Sequence, residues 1–123
     1  RSDAVLPARN RMTRSAEFGA TVSQGIRAAQ PDLVVYRLRS DQTGDPGPRI
    51  GLVVSKAVGN AVQRHRVSRQ LRHVARAVID DLTPADRIVI RALPGSRHAL
   101  SRRLERELRN ALERISARAG AGA

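Results

Sequence analysis

The sequence has no cysteine and almost no aromatic residues. Without thiols, disulfide frameworks, thiol catalysis and zinc–thiolate sites are excluded. Phe18 and Tyr36 are the only aromatic side chains, so the core must be aliphatic and a base-stacking surface has at most two aromatic members. No apolar run approaches the ~20 residues that a transmembrane helix needs, and the chain does not open with a signal-peptide pattern. We therefore expect a cytoplasmic protein that has no membrane partner.

Acidic residues are also scarce relative to basic ones. The chain carries 23 Lys and Arg against 11 Asp and Glu, a net charge of +12. A charge of that size repels itself in a compact protein and is best tolerated beside a polyanion, most commonly nucleic acid. The 123 residues, 41% of them hydrophobic, suffice for one domain. We expect a single domain over 1–123, with a flexible arm at about 1–12 and a frayed tail at about 118–123.

Three segments have the composition of β-strands. Residues 32–39 alternate so that Val34 and Tyr36 share one face. The turn-forming residues 40–48 predict a hairpin between this strand and a second strand at 49–55. A third strand is predicted at 86–93, and residues 28–30 could add an edge strand.

Helical periodicity marks three further segments. The first helix is predicted from Ser15, as its cap, to Gly25. The second follows Asn60, and the third follows Ser96, which we expect to cap it. Their apolar stripes are Val67, Leu71, Val74, Ala75 and Val78 in the second helix, and Leu100, Leu104, Leu108, Ala111, Leu112 and Ile115 in the third. The order α-β-β-α-β-α predicts an α+β sandwich of helices on a small sheet.

The second helix carries an unusual charge pattern. Residues 59–76, GNAVQRHRVSRQLRHVAR, contain five arginines and two histidines and no acid. On a helical wheel Arg69, Arg72 and Arg76 lie opposite the apolar stripe, with His65 beside them. Like charges repel along a helix, so an uncompensated basic face indicates an anionic ligand, and the arginine fork suits phosphate. A merely solvated face of an arginine-rich protein is the alternative.

The residues just before this helix could add to a phosphate site. Gly59 and Asn60 can adopt positive φ and direct backbone N–H groups outward at a helix N-terminus. The segment GLVVSKAVGN does not have the order of a P-loop. The sequence therefore predicts a phosphate-binding site here that is not a P-loop.

Few residues could carry catalysis. His65 and His73 lie on or beside the arginine face without a supporting carboxylate, which argues against a metal site. Asp80 and Asp81 form a weak candidate for Mg²⁺, and we interpret them as part of a turn. We predict no catalytic residue and no metal ligand in the protein, whose role is then to bind and position.

Four blocks of the sequence, RNRMTRSAEF, LVVYRL, RIGLVVSKAVGNAVQRHRVSRQLR and DRIVIRALP, resemble the bacterial ribonuclease P protein subunit in order and spacing from about Arg9 to Ile115. The resemblance implies a small α+β domain with a mainly antiparallel sheet and a left-handed β-α-β crossover through the basic helix. It also implies that one protein assembles with one catalytic RNA, which removes the 5′ leader from precursor tRNA. Mg²⁺ would be held by the RNA, and the protein would strengthen the affinity for leader and metal ions.

In that family the central block contacts the catalytic RNA. The matching positions are Lys56, Gly59, Asn60, Ala61, Val62, Arg64, His65, Arg66, Ser68, Arg69 and Arg72, and Arg76 extends the same face. His65 stands where asparagine is usual, and Ser68 stands where lysine or arginine is usual. The resemblance therefore implies that a phosphate contact is lost at Ser68 and that RNA affinity depends more on Arg69 and Arg72.

The resemblance further implies a leader-binding cleft between the sheet and the first helix. The matching positions are Phe18, Val22, Val34 and Tyr36, with Arg9 and Arg11 on a basic arm near the same cleft. Valine at 22 replaces a second expected aromatic, so stacking would rest on Phe18 and Tyr36. For these two aromatics, plain core packing is the alternative.

Two other functions share some of these features. A general RNA-binding protein of ribosomal type would have the same size and charge but would not stimulate leader cleavage. A self-sufficient metal-dependent nuclease would cut RNA by itself and would depend on Asp80 or Asp81.

Overall fold

A computed structural model describes residues 5–40 and 47–121 of the chain. Its helices and strands are α1 (Ser15–Gln24), β1 (Ile26–Ala29), β2 (Leu33–Arg39), β3 (Arg49–Val53), α2 (Ala61–Val78), β4 (Asp86–Ala92) and α3 (Ser101–Ala121). The predicted α+β class is confirmed. The optional edge strand also exists, two residues earlier than expected, as β1.

The strands form one mixed sheet in the order β1-β2-β4-β3. The pairs β1–β2 and β2–β4 are antiparallel, and β3 runs parallel to β4. The predicted hairpin between β2 and β3 is therefore wrong, because β4 lies between them. All of β4 except Arg91 is buried, as expected of a central strand. The hairpin turn expected at 40–48 falls mostly on residues 41–46, outside the described residues.

The parallel pair requires a crossover, and α2 provides it between β3 and β4. The crossover through the basic helix is thus confirmed, and its left hand stays a prediction. The α2 stripe is buried at the five predicted positions, Val67, Leu71, Val74, Ala75 and Val78. Local periodicity was sufficient here because the helix buries one face only.

Each face of the sheet has its own apolar cluster. The main core contains Leu33, Val35, Ile88 and Ile90 of the sheet packed with the apolar stripes of α2 and α3. The opposite face carries a small cluster of Met12, Val34, Tyr36 and Val89, against which Phe18 of α1 packs. The alternation predicted for β2 is confirmed, since Leu33 and Val35 face one cluster and Val34 and Tyr36 the other.

The described residues near each end of the chain pack against the domain or continue a helix. Leu6 is 1% exposed and Met12 is 5% exposed, so both side chains belong to the core, and the flexible arm stays a prediction. The Met12 N–H donates to the Ile50 carbonyl over 2.9 Å, which holds this segment along the edge of β3. Helix α3 continues to Ala121, and fraying of the tail stays a prediction.

The start of α3 differs from the expectation as well. Residues Pro94–His98 form a 3-10 turn, and the Ser96 hydroxyl donates to the Leu93 carbonyl instead of capping the helix. Because α3 begins only at Ser101, Leu100 falls outside the apolar stripe and is 63% exposed. Within the described ranges, no helix is both long and apolar enough to cross a bilayer.

Candidate nucleic-acid interface

The start of α2 is closed by a capping box. The Asn60 side chain accepts from the Gln63 N–H over 2.9 Å, and the Gln63 side chain accepts from the Asn60 N–H over 2.9 Å. Asn60 has φ of −73°, so the expected positive φ is wrong there, whereas Gly59 has φ of +158°. A Cβ at Gly59 would overlap the Gln63 side chain, so the capping box needs glycine. A phosphate at this helix end would have the Ala61 and Val62 N–H groups to bind, but not that of Gln63.

The basic residues of α2 divide into an exposed outward group and a half-buried group. The outward group, His65, Arg66 and Arg69, is exposed, and Lys56 is exposed in the turn before the helix. Arg72 and Arg76 are half-buried because they lie against the N-terminal segment. Arg76 lines a cavity of about 300 Å³ together with Arg9, Asn10 and Asp80. Arg64 is half-buried, and its buried Nε has no hydrogen-bond partner among the residues that the structure describes.

Another cavity of about 300 Å³ joins residues of the two predicted surfaces. Its lining includes Arg72 of α2, Arg11 of the N-terminal segment and Phe18 of α1. Arg11 is oriented by a 2.9 Å hydrogen bond from its Nε to the Leu6 carbonyl. The face expected to bind the catalytic RNA therefore continues directly into the region expected to bind the leader.

Helix α1 forms one wall beside the sheet. Glu17 of α1 lies 2.9 Å from Nε of Arg87 and 3.8 Å from Nε of Arg49, which fixes the helix over β4 and β3. The Phe18 ring packs directly on the backbone at Gly51, where a Cβ would overlap the ring. Val22, one turn further along α1, is 42% exposed. Because they are four residues apart on α1, Phe18 and Val22 lie on one helix face.

Beneath this wall, the other two predicted cleft residues are mostly covered. Val34 is 5% exposed and Tyr36 is 8% exposed, inside the cluster with Met12 and Val89. Most of the Tyr36 surface is therefore packed inside this cluster, as the alternative of plain core packing requires. Phe18 is half-buried and keeps more of its surface available for a base.

The sequence reasoning missed two arginines on the face of the sheet that carries Val34, Tyr36 and Val89, here named the open face. Arg91 is exposed on β4, in register with Val34 on one side and Val53 on the other. Arg27 is exposed on β1, in register with Tyr36. The alternation of Arg87, Val89 and Arg91 in the predicted strand 86–93 could have placed Arg91 on this face.

The acidic pair gives no sign of a metal site. Asp81 binds Arg109, with Oδ2 lying 2.9 Å from Nη1, and Asp80 is exposed. Over residues 5–40 and 47–121, no three His, Asp or Glu side chains are grouped so that they could hold a metal ion. The expectation that the protein has no metal ligand stays a prediction.

Comparison with known proteins connects this geometry to one family. The family model for ribonuclease P matches residues 6–116. The chain belongs to the ribonuclease P protein family. A ribonuclease P protein component from Mycolicibacterium vanbaalenii is 76% identical over 117 residues, covering 95% of this chain and 98% of that protein. Another ribonuclease P protein component, from Mycobacterium avium, is 63% identical over 118 residues, which cover 94% of this chain and 99% of that protein.

Solved structures of ribonuclease P proteins share the fold. The protein from Staphylococcus aureus matches with a TM-score of 0.72 at 24% identity, covering 85% of this chain and 93% of that chain. The protein from Thermotoga maritima matches with a TM-score of 0.72 at 21% identity, covering 85% of this chain and 96% of that chain. The predicted family is confirmed, and this chain is a protein subunit of ribonuclease P, the tRNA-processing endoribonuclease.

Proposed function

We propose that this ribonuclease P subunit holds the catalytic RNA on α2 and the preceding loop, and the 5′ leader of precursor tRNA beside α1. The observation that carries the proposal is the acid-free basic surface of Lys56, His65, Arg66 and Arg69, which continues through Arg72 and Arg11 to Phe18. Arginine forks on a rigid helix suit the phosphates of a folded RNA.

The leader site is proposed on the open face of the sheet. Phe18 offers a half-exposed ring for one base, and Arg91 and Arg27 offer charge for the leader phosphates. Val34 and Tyr36 shape the floor between them. Phosphate contacts combined with a single stacked base would give leader affinity with little dependence on leader sequence.

We place the chemical step in the RNA, with Mg²⁺ held there and one protein per RNA. The described acids support this assignment, because six of them are already in ion pairs with arginines. They are Glu17, Asp32, Asp81, Asp86, Glu105 and Glu107. The remaining described acids, Asp80 and Glu113, are both exposed. The protein then contributes positioning and charge neutralisation to the active complex.

Cleavage of precursor tRNA at low Mg²⁺ tests the proposal. The three arms are a bacterial ribonuclease P RNA alone, this protein alone, and both together. We expect leader removal to be far faster with both than with RNA alone, and no cleavage by the protein alone. Mature tRNA is the control substrate for binding, since it lacks the leader that the open face should hold.

The two alternatives give different results in the same assay. A general RNA-binding protein would bind the RNA but leave its cleavage rate unchanged. A self-sufficient nuclease would cut without added RNA, and Asp81→Ala would abolish that activity. Either result would overturn the proposal that the protein positions the substrate while the RNA carries out the cleavage.

A further inference from the structure

A second acid-free stretch lies outside the α2 signature. Residues 87–104 contain five arginines and one histidine and no acid. In the fold this stretch covers β4, the 3-10 turn Pro94–His98 and the start of α3. The turn packs against α2, and here His98 and Arg102 are exposed and Arg97 is half-buried.

The ion pairs of α3 separate its arginines into two kinds. Arg103 contacts Asp32 at 2.9 Å and Glu107 at 3.2 Å. Arg109 contacts Asp81 at 2.9 Å and Glu105 at 3.0 Å, and these bonds raise its pKa. Arg102 and Arg106 are exposed and have no ion-pair partner among residues 5–40 and 47–121.

Arg102 and Arg106 lie on one side of the helix, because four residues make about one turn. With His98 and Leu100 they line a shallow cavity of about 270 Å³. Two like charges one turn apart repel each other. Neither guanidinium is within ion-pair distance of a carboxylate of residues 5–40 and 47–121, so the two charges are uncompensated like those of the α2 face.

Hydrogen bonds attach this region firmly to α2. Arg66 donates from Nη2 to the Arg97 carbonyl over 2.6 Å, and Gln70 donates from Nε2 to the Ala99 carbonyl over 3.4 Å. Arg97 donates from Nη1 to the Val58 carbonyl in the loop before α2, over 3.3 Å. Arg97 is therefore held in a fixed position beside the outward group of α2.

We propose that Arg97, His98, Arg102 and Arg106, here named the α3 patch, bind the sugar–phosphate backbone of the catalytic RNA beside the segment held by α2. The inference rests on the proposed function and extends its RNA-binding surface. The patch has no Phe, Tyr or Trp side chain, and its arginine forks suit phosphates, so we assign it to backbone charge and shape rather than to base recognition. Its contribution is to affinity and orientation.

Binding of the catalytic RNA over a range of salt concentrations tests the patch. Arg102→Gln and Arg106→Gln should each weaken binding and reduce the slope of log K against log salt by about 0.7–0.9, the value for one lost phosphate contact. Arg114→Gln is the matched control, because Arg114 is also exposed on α3 and forms no ion pair with a described residue. Slopes for the two patch variants equal to that of Arg114→Gln would overturn the inference.

Probing of proximity gives a second, independent readout. The chain has no cysteine, so Arg102→Cys and Arg114→Cys each provide one attachment point for an iron–EDTA reagent. We expect hydroxyl-radical cleavage of the catalytic RNA backbone from position 102 and clearly less from position 114. No cleavage from position 102 in a complex that still processes precursor tRNA would exclude the patch.

The test separates the patch from the proposed function. If wild-type protein binds and stimulates the catalytic RNA while both patch variants behave like Arg114→Gln, only the patch is wrong. If wild-type protein does not bind the catalytic RNA, the proposed function fails and the patch with it. Loss of binding to anionic lipid vesicles by the patch variants, with RNA binding unchanged, would assign the patch to a membrane surface instead.

Discussion

Glu17 of α1 and Arg87 of β4 form an ion pair that joins the helix to the central strand of the sheet. Oε2 of Glu17 lies 2.9 Å from Nε of Arg87, and the two side chains are 20% and 8% exposed. Phe18 follows Glu17 directly, and its ring lies on Gly51. The ion pair therefore also fixes the aromatic ring that we assign to the leader.

Replacing Glu17 by glutamine should destabilise the protein measurably. Arg87 would remain buried and would lose the Glu17 carboxylate, although it still donates to the Pro84 and Asp86 carbonyls. Because those bonds persist, we expect a loss of about 2–3 kcal/mol, below the range for a fully buried pair that loses one partner. Urea unfolding measures the loss, and Glu113→Gln, at an exposed carboxylate, should change stability by less than about 0.5 kcal/mol. Equal effects of the two variants would show that the pair does not anchor α1.

The features that the sequence predicted correctly are mainly local ones. The α2 stripe follows from a 3.6-residue period within one segment, and the β2 alternation follows from a two-residue period. The basic face of α2 could be located for the same reason. Its capping box was missed, although Asn60 and Gln63 have the required spacing of three residues.

The wrong predictions concern contacts between distant segments. The β2–β3 hairpin was expected because turn residues separate two strands, but β4 pairs with both of them. Residues 6–12 appeared polar and irregular, yet Leu6 and Met12 complete two different apolar clusters. No local pattern reveals which distant strand or edge receives a segment.

The same limit applies to the candidate site. Only the fold shows that Arg72, Arg11 and Phe18 line one cavity. Only the side-chain pairing shows that Arg103 and Arg109 are neutralised while Arg102 and Arg106 are not. In sequence, these four arginines mix with glutamates and look alike.

Arg69→Gln together with Arg72→Gln should weaken binding of the catalytic RNA. Two lost phosphate contacts predict a salt slope reduced by about 1.4–1.8. Filter binding or fluorescence anisotropy at several salt concentrations measures it, with circular dichroism to confirm folding. Arg114→Gln again controls for the change in net charge. Unchanged affinity in a folded double variant would remove α2 from the interface.

Arg91→Gln should reduce affinity for precursor tRNA while leaving affinity for mature tRNA unchanged. Arg91 is exposed on the open face between Val34 and Val53, and the substitution removes charge without disturbing the core. We prefer it to Tyr36→Ala, because Tyr36 is 8% exposed and its truncation would cost about 3 kcal/mol or more of stability. Binding of both tRNAs to the assembled RNA–protein complex measures the difference. An equal loss for both would place the leader elsewhere.

Glu107 should make stability depend on pH in the direction opposite to that of most paired carboxylates. Burial raises the pKa of Glu107 above its ordinary value of 4.5, and the neighbouring Asp32 carboxyl adds to the increase. The hydrogen bonds from the Asp32 N–H and from Arg103 oppose it. The folded protein then binds this proton more tightly than the unfolded chain does. Its contribution to stability is complete below pH 4.5 and is lost as the pH rises through the raised pKa.

Glu107→Gln isolates that contribution. The glutamine oxygen can still accept the 2.9 Å hydrogen bond from the Asp32 N–H, but the side chain no longer ionises. We expect the free energy of unfolding of wild type minus that of the variant to decrease from pH 4 to pH 7, measured by urea unfolding at each pH. Glu113→Gln should show no such trend, because its carboxylate is exposed. A difference that instead grows with pH would mean that Arg103 outweighs burial and that Glu107 is stabilised in its ionised form.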